Sequence, residues 1–349
     1  MDQADSGSFI RVDSLRPIHL MLLKGIGQDY RYAQFQSLLL QGALAVVESR
    51  LPKFLPMRSP RCLLAVQKSL LLGMVQARPF NRRGSCWLLK PPETLAPSTN
   101  LSRAQIQLPL LQHAFKLSWE QSCGWILRCS HSDHDLIALA REVGFQPLMA
   151  YQLWRPPAFR PLSPEIVEIP DNMHWQPLNK VSAIALWRLT QTAGSSHLRQ
   201  ILDRQICDLV DLKGSCSGML VSQRESSEVA VPLVGVLHRS EGDPLPILDL
   251  LRDQAWDSRL ARGIPTVLNN LRQQLPSLRL SIAADDKPLT ELLIEQGWLH
   301  DSEEMLLGRN LWRRQVSTRI QVGALPLETM LGRLQPQHPP LPTPSLEEC

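Results

Sequence analysis

Residues 129–135 read Cys-Ser-His-Ser-Asp-His-Asp, which puts a thiol, two imidazoles and two carboxylates within one short stretch. Such side chains are metal ligands, and His131-x-x-His134 with acidic neighbours is a spacing that could seat zinc. The stretch, however, follows an apolar run (125–127) and leads into a helix-periodic one, where Ser and Asp are wanted as helix caps. Capping explains these residues, and no metal is expected. The seven cysteines, at 62, 86, 123, 129, 207, 216 and 349, are odd in number and never spaced as CxxC. That argues against a disulfide framework or a structural zinc site, so reduced, mostly buried thiols in a reducing compartment are expected.

The elements that must position any chemistry are clearest in a repeat, WILRCSHSDHDLIALAREVGF (125–145) against LRLSIAADDKPLTELLIEQGW (278–298). Placing Gly144 on Gly297, an offset of 153, also aligns Leu127 with Leu280, Asp133 with Asp286, Leu136 with Leu289 and Leu139 with Leu292. Each copy predicts a short buried strand and a polar turn, followed by a helix with one apolar face and a left-handed glycine stop. An aromatic, Phe145 or Trp298, and a further strand follow each glycine. Ser132 or Asp133 is the candidate N-cap of the first helix and Asp285 or Asp286 that of the second, and Pro288 suits a first helical turn.

Ahead of its copy, the first half predicts a strand (SFIRVDSL), helices at 16–26 and 30–50, and three short strands (CLLAVQ, SLLLGMVQA, SCWLLK). The last two are joined by a turn at 81–84. A helix over 102–122 follows, kinked by Pro109 or starting after it. The second half retraces this with IVEIP, helices near 178–192 and 197–210, SGMLVSQ, VAVPLVGVLHR and PILDLL, and a helix starting near Ile264. The expected division is a disordered 1–8, a first domain over 9–155, a Pro-rich linker over 156–165, a second domain over 166–320 and a disordered Pro-rich tail over 334–349.

At 349 residues with 44% hydrophobic content the chain suits two ordinary α/β domains with mixed sheets. Its +4 net charge comes from 37 basic and 33 acidic side chains without a basic run. Nucleic acid is not an expected partner. The acidic, polar start and the lack of a long apolar stretch predict no membrane span and a cytoplasmic location.

The element order, with AREVGF (140–145) and IEQGW (294–298) closing the halves, resembles the GNAT superfamily of acyl-CoA N-acyltransferases over about 10–155 and 165–314. The chain looks like a tandem GNAT protein, which implies acetyl-CoA or another acyl-CoA as co-substrate and a small-molecule or protein amine as acceptor. In that family a Q/R-x-x-G-x-G/A loop binds the coenzyme A pyrophosphate at a helix N-terminus. The resemblance places it here at Leu260-Ala261-Arg262-Gly263-Ile264-Pro265, with Arg259, Arg262, Gly263 and Ile264 as cofactor contacts. Leu260 and Pro265 depart from the pattern. The first half has no glycine over 94–103 and is expected to lack a coenzyme A site.

The family often carries a carboxylate on its fourth strand as general base, which implies Asp249 in PILDLL, its pKa raised by apolar neighbours. Ile247, Leu250 and Leu251 also have helical spacing, so the segment is open to either reading. The family's general-acid tyrosine, four residues before the glycine, is replaced by Ala140 and Leu293, and the second half contains no tyrosine. The rival implication is a non-catalytic tandem GNAT protein that binds a ligand or partner.

Overall fold

In the computed structural model the described residues are 10–23, 29–50, 59–68, 70–95, 100–117, 122–157, 172–223, 230–239 and 245–310. The first half runs β1 (Arg11–Ser14), α1 (His19–Leu23), α2 (Asp29–Arg50), β2 (Arg61–Gln67), β3 (Leu70–Pro79), β4 (Cys86–Leu89), β5 (Glu93–Thr94), α3 (Arg103–Ala114), β6 (Gly124–Ser130), α4 (His134–Glu142) and β7 (Gln146–Arg155). The second runs β8 (Met173–Pro177), α5 (Ser182–Ala193), α6 (Ser196–Leu202), α7 (Ile206–Asp211), β9 (Gly218–Ser222), β10 (Val231–Arg239), β11 (Ile247–Arg252), α8 (Ser258–Gln274), β12 (Arg279–Ala283), α9 (Lys287–Glu295) and β13 (Leu299–Asn310). The predicted N-terminus, the IVEIP strand, most of the linker and the tail lie outside the described residues.

The repeat holds element for element. Asp133 accepts a hydrogen bond from the Leu136 amide at 3.1 Å, and Asp286 accepts one from the Leu289 amide at 3.2 Å. Each helix then stops on a glycine with positive φ, +90° at Gly144 and +76° at Gly297, a conformation that costs other residues about 1–2 kcal/mol. The alternating apolar residues of the strands meet α3 and α4 in the first core, and α8 and α9 in the second. The predicted helix over 197–210 is broken in two at Asp203, whose φ of +45° is left-handed.

The halves share one sheet, ordered β1-β2-β3-β4-β6-β13-β7-β12-β11-β10-β9-β8, with β5 paired to β3 beside this path. Each half supplies only one strand after its last helix, and that strand crosses into the partner half. β13 lies antiparallel between β6 and β7, and β7 lies antiparallel between β13 and β12. Exchange gives each closing strand a partner on both sides, where a lone one would leave main-chain donors and acceptors unpaired. Helix α6 extends the join: Leu198 and Ile201 pack with Cys86, Leu88 and Ile126 of the first half and Leu306 of β13. Burying each of these two side chains is worth about 1.5–3 kcal/mol.

Helix α8 begins well before the predicted start near Ile264. Asp257 caps it by accepting from the Arg259 and Leu260 amides at 2.9 and 3.1 Å, and Gly263 and Pro265 lie inside the helix. The loop expected at Leu260–Pro265 is therefore helix. The preceding chain already holds a strong N-cap, and one internal proline removes a single intrahelical bond without ending the helix.

Candidate functional site

β11 and β12 are parallel neighbours over three pairs, Ile247↔Arg279, Leu248↔Leu280 and Asp249↔Ser281. Beyond Asp249 their pairing ends, and a cavity of about 260 Å³ opens there. Asp249 and Tyr151 line it, with α5, α6 and Phe80 across from the strands. The strand reading of 247–252 is the observed one, which turns Asp249 toward the cavity. Pro91 and Pro92 follow β4 at the matching place in the first half, and neither can donate an amide.

Asp249 belongs to a charge network spanning both halves. Arg239 of β10 donates to its Oδ1 through Nε (3.2 Å) and a terminal nitrogen (2.7 Å), and also reaches Ser281 Oγ at 2.6 Å and Glu304 at 2.7 Å. Arg128 of β6 stands 3.7 Å from the same Glu304 carboxylate. Burial alone would raise the Asp249 carboxyl, but Arg239, with Arg128 and Arg204 further off, outweighs it and holds the pKa below the usual carboxylate value. This reverses the predicted rise: Asp249 is a stably ionised anion and a weak base.

Through the exchanged strand a tyrosine of the first half lines the cavity beside β11 and β12 of the second. Tyr151 of β7 pairs with Ala283 of β12 on one side and Glu304 of β13 on the other. Arg128 lies over its ring, 4.8 Å from the centroid. Burial raises the phenol pKa against the pull of Arg128, so the hydroxyl keeps its proton at neutral pH.

The four residues predicted to bind coenzyme A are placed differently. Gly263 and Ile264 are buried in the core, and a Cβ on Gly263 would come within 2.5 Å of Leu220 Cδ2. That glycine serves close helix–sheet packing and does not face a phosphate. Arg259 is tied to Asp257 at 2.6 Å. Arg262 is exposed and donates to the Ser258 carbonyl at 3.2 Å. The amides that an anion would want are taken, two by Asp257 and that of Ala255 by Asp253 at 3.1 Å. The Arg259 guanidinium, aided by the Leu260 and Arg259 amides, holds the Asp257 carboxyl below its usual range. At the cavity mouth Arg252 closes on Asp286 through bonds of 2.8 and 2.7 Å.

Over 129–135 the side chains serve the turn: Ser130 and Ser132 hydroxyls bond at 2.8 Å, and Asp133 takes Arg103 at 2.7 Å beside its capping bond. Among the described residues no group of three or more His, Cys, Asp or Glu could hold a metal, and no helix is long and apolar enough to cross a membrane. Cys62, Cys86, Cys129 and Cys216 are buried free thiols, and burial pushes Cys62 up to about 12 and Cys129 up to about 11.

No family model matches the sequence, and no curated protein does. In structure the chain is similar to the glucosamine N-acetyltransferase region of a fungal multi-domain GH3 β-N-acetylglucosaminidase, with a TM-score of 0.52 at 13% identity over 88% of this chain and 39% of that one. A tandem GNAT protein from the clavulanic acid biosynthesis pathway gives 0.49 at 11% identity, covering 86% and 98% of the two chains. A GCN5-related N-acetyltransferase from Sphaerobacter thermophilus gives 0.47 at 12%, covering 86% and 95%. The element order of each half, the two parallel pairs β4·β6 and β11·β12, and the first of these likenesses agree: the chain carries the GNAT fold twice in tandem, the two copies joined through exchanged last strands.

Proposed function

We propose that the chain is an N-acyltransferase, moving an acetyl or other acyl group from coenzyme A to an amine in the cavity between β11 and β12. The observation that carries this reading is Tyr151 lining the cavity that opens where two parallel strands part, with burial raising its phenol pKa. The amine nitrogen attacks the thioester carbonyl carbon; as the C–N bond forms and the C–S bond breaks, sulfur takes the Tyr151 proton. Solvent restores the phenol and receives the proton lost from nitrogen. Asp249, ionised and bonded to Arg239 through Oδ1, draws an ammonium by charge and offers Oδ2 to an N–H. It is a poor direct base, since its pKa is held down.

The test is release of free thiol from acetyl-CoA with a panel of amines. Tyr151→Phe should lower kcat roughly 10²-fold, the low end for a positioned acid because a thiolate is already a good leaving group, with KM little changed. An unchanged kcat removes Tyr151 from the chemistry.

A second reading, a non-catalytic ligand-binding protein, is favoured by Asp253 and Asp257, which fill the amides where a pyrophosphate would sit. In the catalytic reading the donor's phosphates rely on exposed Arg262 and are held weakly. Calorimetric titration of acetyl-CoA into the wild type separates the two readings, since only the catalytic one expects binding.

A further inference from the structure

We propose that the acceptor carries a carboxylate beside its amine, as an amino acid does, and that Arg204 binds that carboxylate while Asp249 faces the ammonium. This rests on the acyl-transfer reading of the same cavity. Arg204 stands in the short connection between α6 and α7, lines the cavity, and places its guanidinium carbon 4.6 Å from the Phe80 ring centroid. Among the described residues, no carboxylate or carbonyl lies within hydrogen-bond reach of that guanidinium. The other cations around the cavity each have a carboxylate or carbonyl close by, Arg128 most loosely, since its Nε and Nη1 make no hydrogen bond. Arg239 has Asp249 and Glu304, Arg128 shares Glu304, Arg252 has Asp286, and Arg199 donates to the carbonyls of Gln191 and Gly194. The Arg204 guanidinium is half-buried against Phe80 and makes no such bond, so an anion entering the cavity would find it available. Burial pulls the Arg204 pKa down, the direction expected of a cation short of a partner.

Arg204 is also held in place, and by the other half of the chain. In the turn between β3 and β4, Asn81 Nδ2 donates to the carbonyls of Leu202 and Asp203 at 3.2 and 3.1 Å. Ser85 Oγ donates to the Asp203 carboxylate at 2.5 Å, Arg83 pairs with that same carboxylate, and the Arg82 amide donates to Asp208 at 2.8 Å. These bonds fix the left-handed turn at Asp203 immediately before Arg204. On that fixed backbone, with the Phe80 ring against its face, the planar guanidinium suits the two oxygens of a carboxylate. Asp249 lies near enough for its charge to act on Arg204. The cavity thus offers an anion and a cation to a zwitterion, with apolar Phe80, Met149 and Leu202 around them.

The first arm of the test supplies acetyl-CoA with each of the common amino acids, as the free acid and as its primary amide, and reads thiol release. The proposal expects free acids to be used, with kcat/KM for the matching amides about 10²-fold lower, the scale of one charge-assisted contact. In Arg204→Met that preference should vanish through a raised KM with kcat largely kept, while Arg204→Lys retains part of it. Amides used as well as acids, or a preference that survives in Arg204→Met, overturns the proposal. The second arm omits coenzyme A and follows melting temperature with N-acetyl amino acids against their N-acetyl amides. Stabilisation of the wild type by the acids alone, lost in Arg204→Met, supports the carboxylate site even where no amine is turned over, an outcome in which acyl transfer fails and the site stands. No stabilisation by any acid overturns it. Without ligand, Arg204→Met should melt no lower than wild type; a clear fall would make Arg204 structural and sink the idea.

Discussion

Asp257 works against the reaction proposed for the cavity. Its carboxylate spends two amides of α8 on a cap and sets a negative charge where the fold would receive a pyrophosphate. Asp257→Ser keeps an N-cap oxygen and removes the charge. It should tighten acetyl-CoA about 2- to 5-fold, from the roughly 0.3–1 kcal/mol that a charge is worth at a helix end, as read by calorimetric titration. Weaker binding would show that donor phosphates do not approach α8. At this scale the sequence was partly legible. Asp249 was a candidate through the family resemblance, but the sign of its pKa was not legible, because Arg239 and Arg128 act on it from other strands. Tyr151 was visible as a residue and hidden as a site, since its strand was assigned to the half in which it begins. Arg204 had no local signal, because a single arginine between helices shows its missing partner only in three dimensions.

Elements were most legible where local chemistry and tertiary packing agree, as in the strand, Asp-capped helix and glycine stop found twice. They were least legible at α8, where Gly263 and Pro265 look like loop residues. Sheet contact overrides that appearance, because α8 lies so close to β9 that a Cβ on Gly263 would strike Leu220, with Met173 Sδ also 3.4 Å away. Gly263→Asp should therefore act on stability, placing a charge in an apolar core. It should lower the melting temperature by several degrees or abolish soluble expression. A variant with wild-type melting that fails only to bind acetyl-CoA would return Gly263 to the phosphate site. The exposed Arg262→Ala serves as control and should melt normally.

At the scale of the whole molecule the two copies are mutually completed. β7 fills the gap between β12 and β13, β13 fills the gap between β6 and β7, and α6 of the second half covers strands of the first. Each half alone would lose a central partner strand and expose main-chain edges. The cavity inherits this dependence: Tyr151, Arg128 and Phe80 come from the first half, and Asp249, Arg204 and Ser281 from the second. Duplication was legible from the offset of 153. Exchange was not, because side-chain periodicity records which face of a strand is buried and not which neighbour it pairs with. The most direct test of a composite acyl-CoA cleft is amide hydrogen exchange of the full chain with and without acetyl-CoA. Protection should appear together at 149–153, 190–204 and 247–255, segments from both halves around the cavity. Protection confined to 86–103 and 124–135 would place the donor in the first half, and the absence of any protection would contradict acyl-CoA binding altogether.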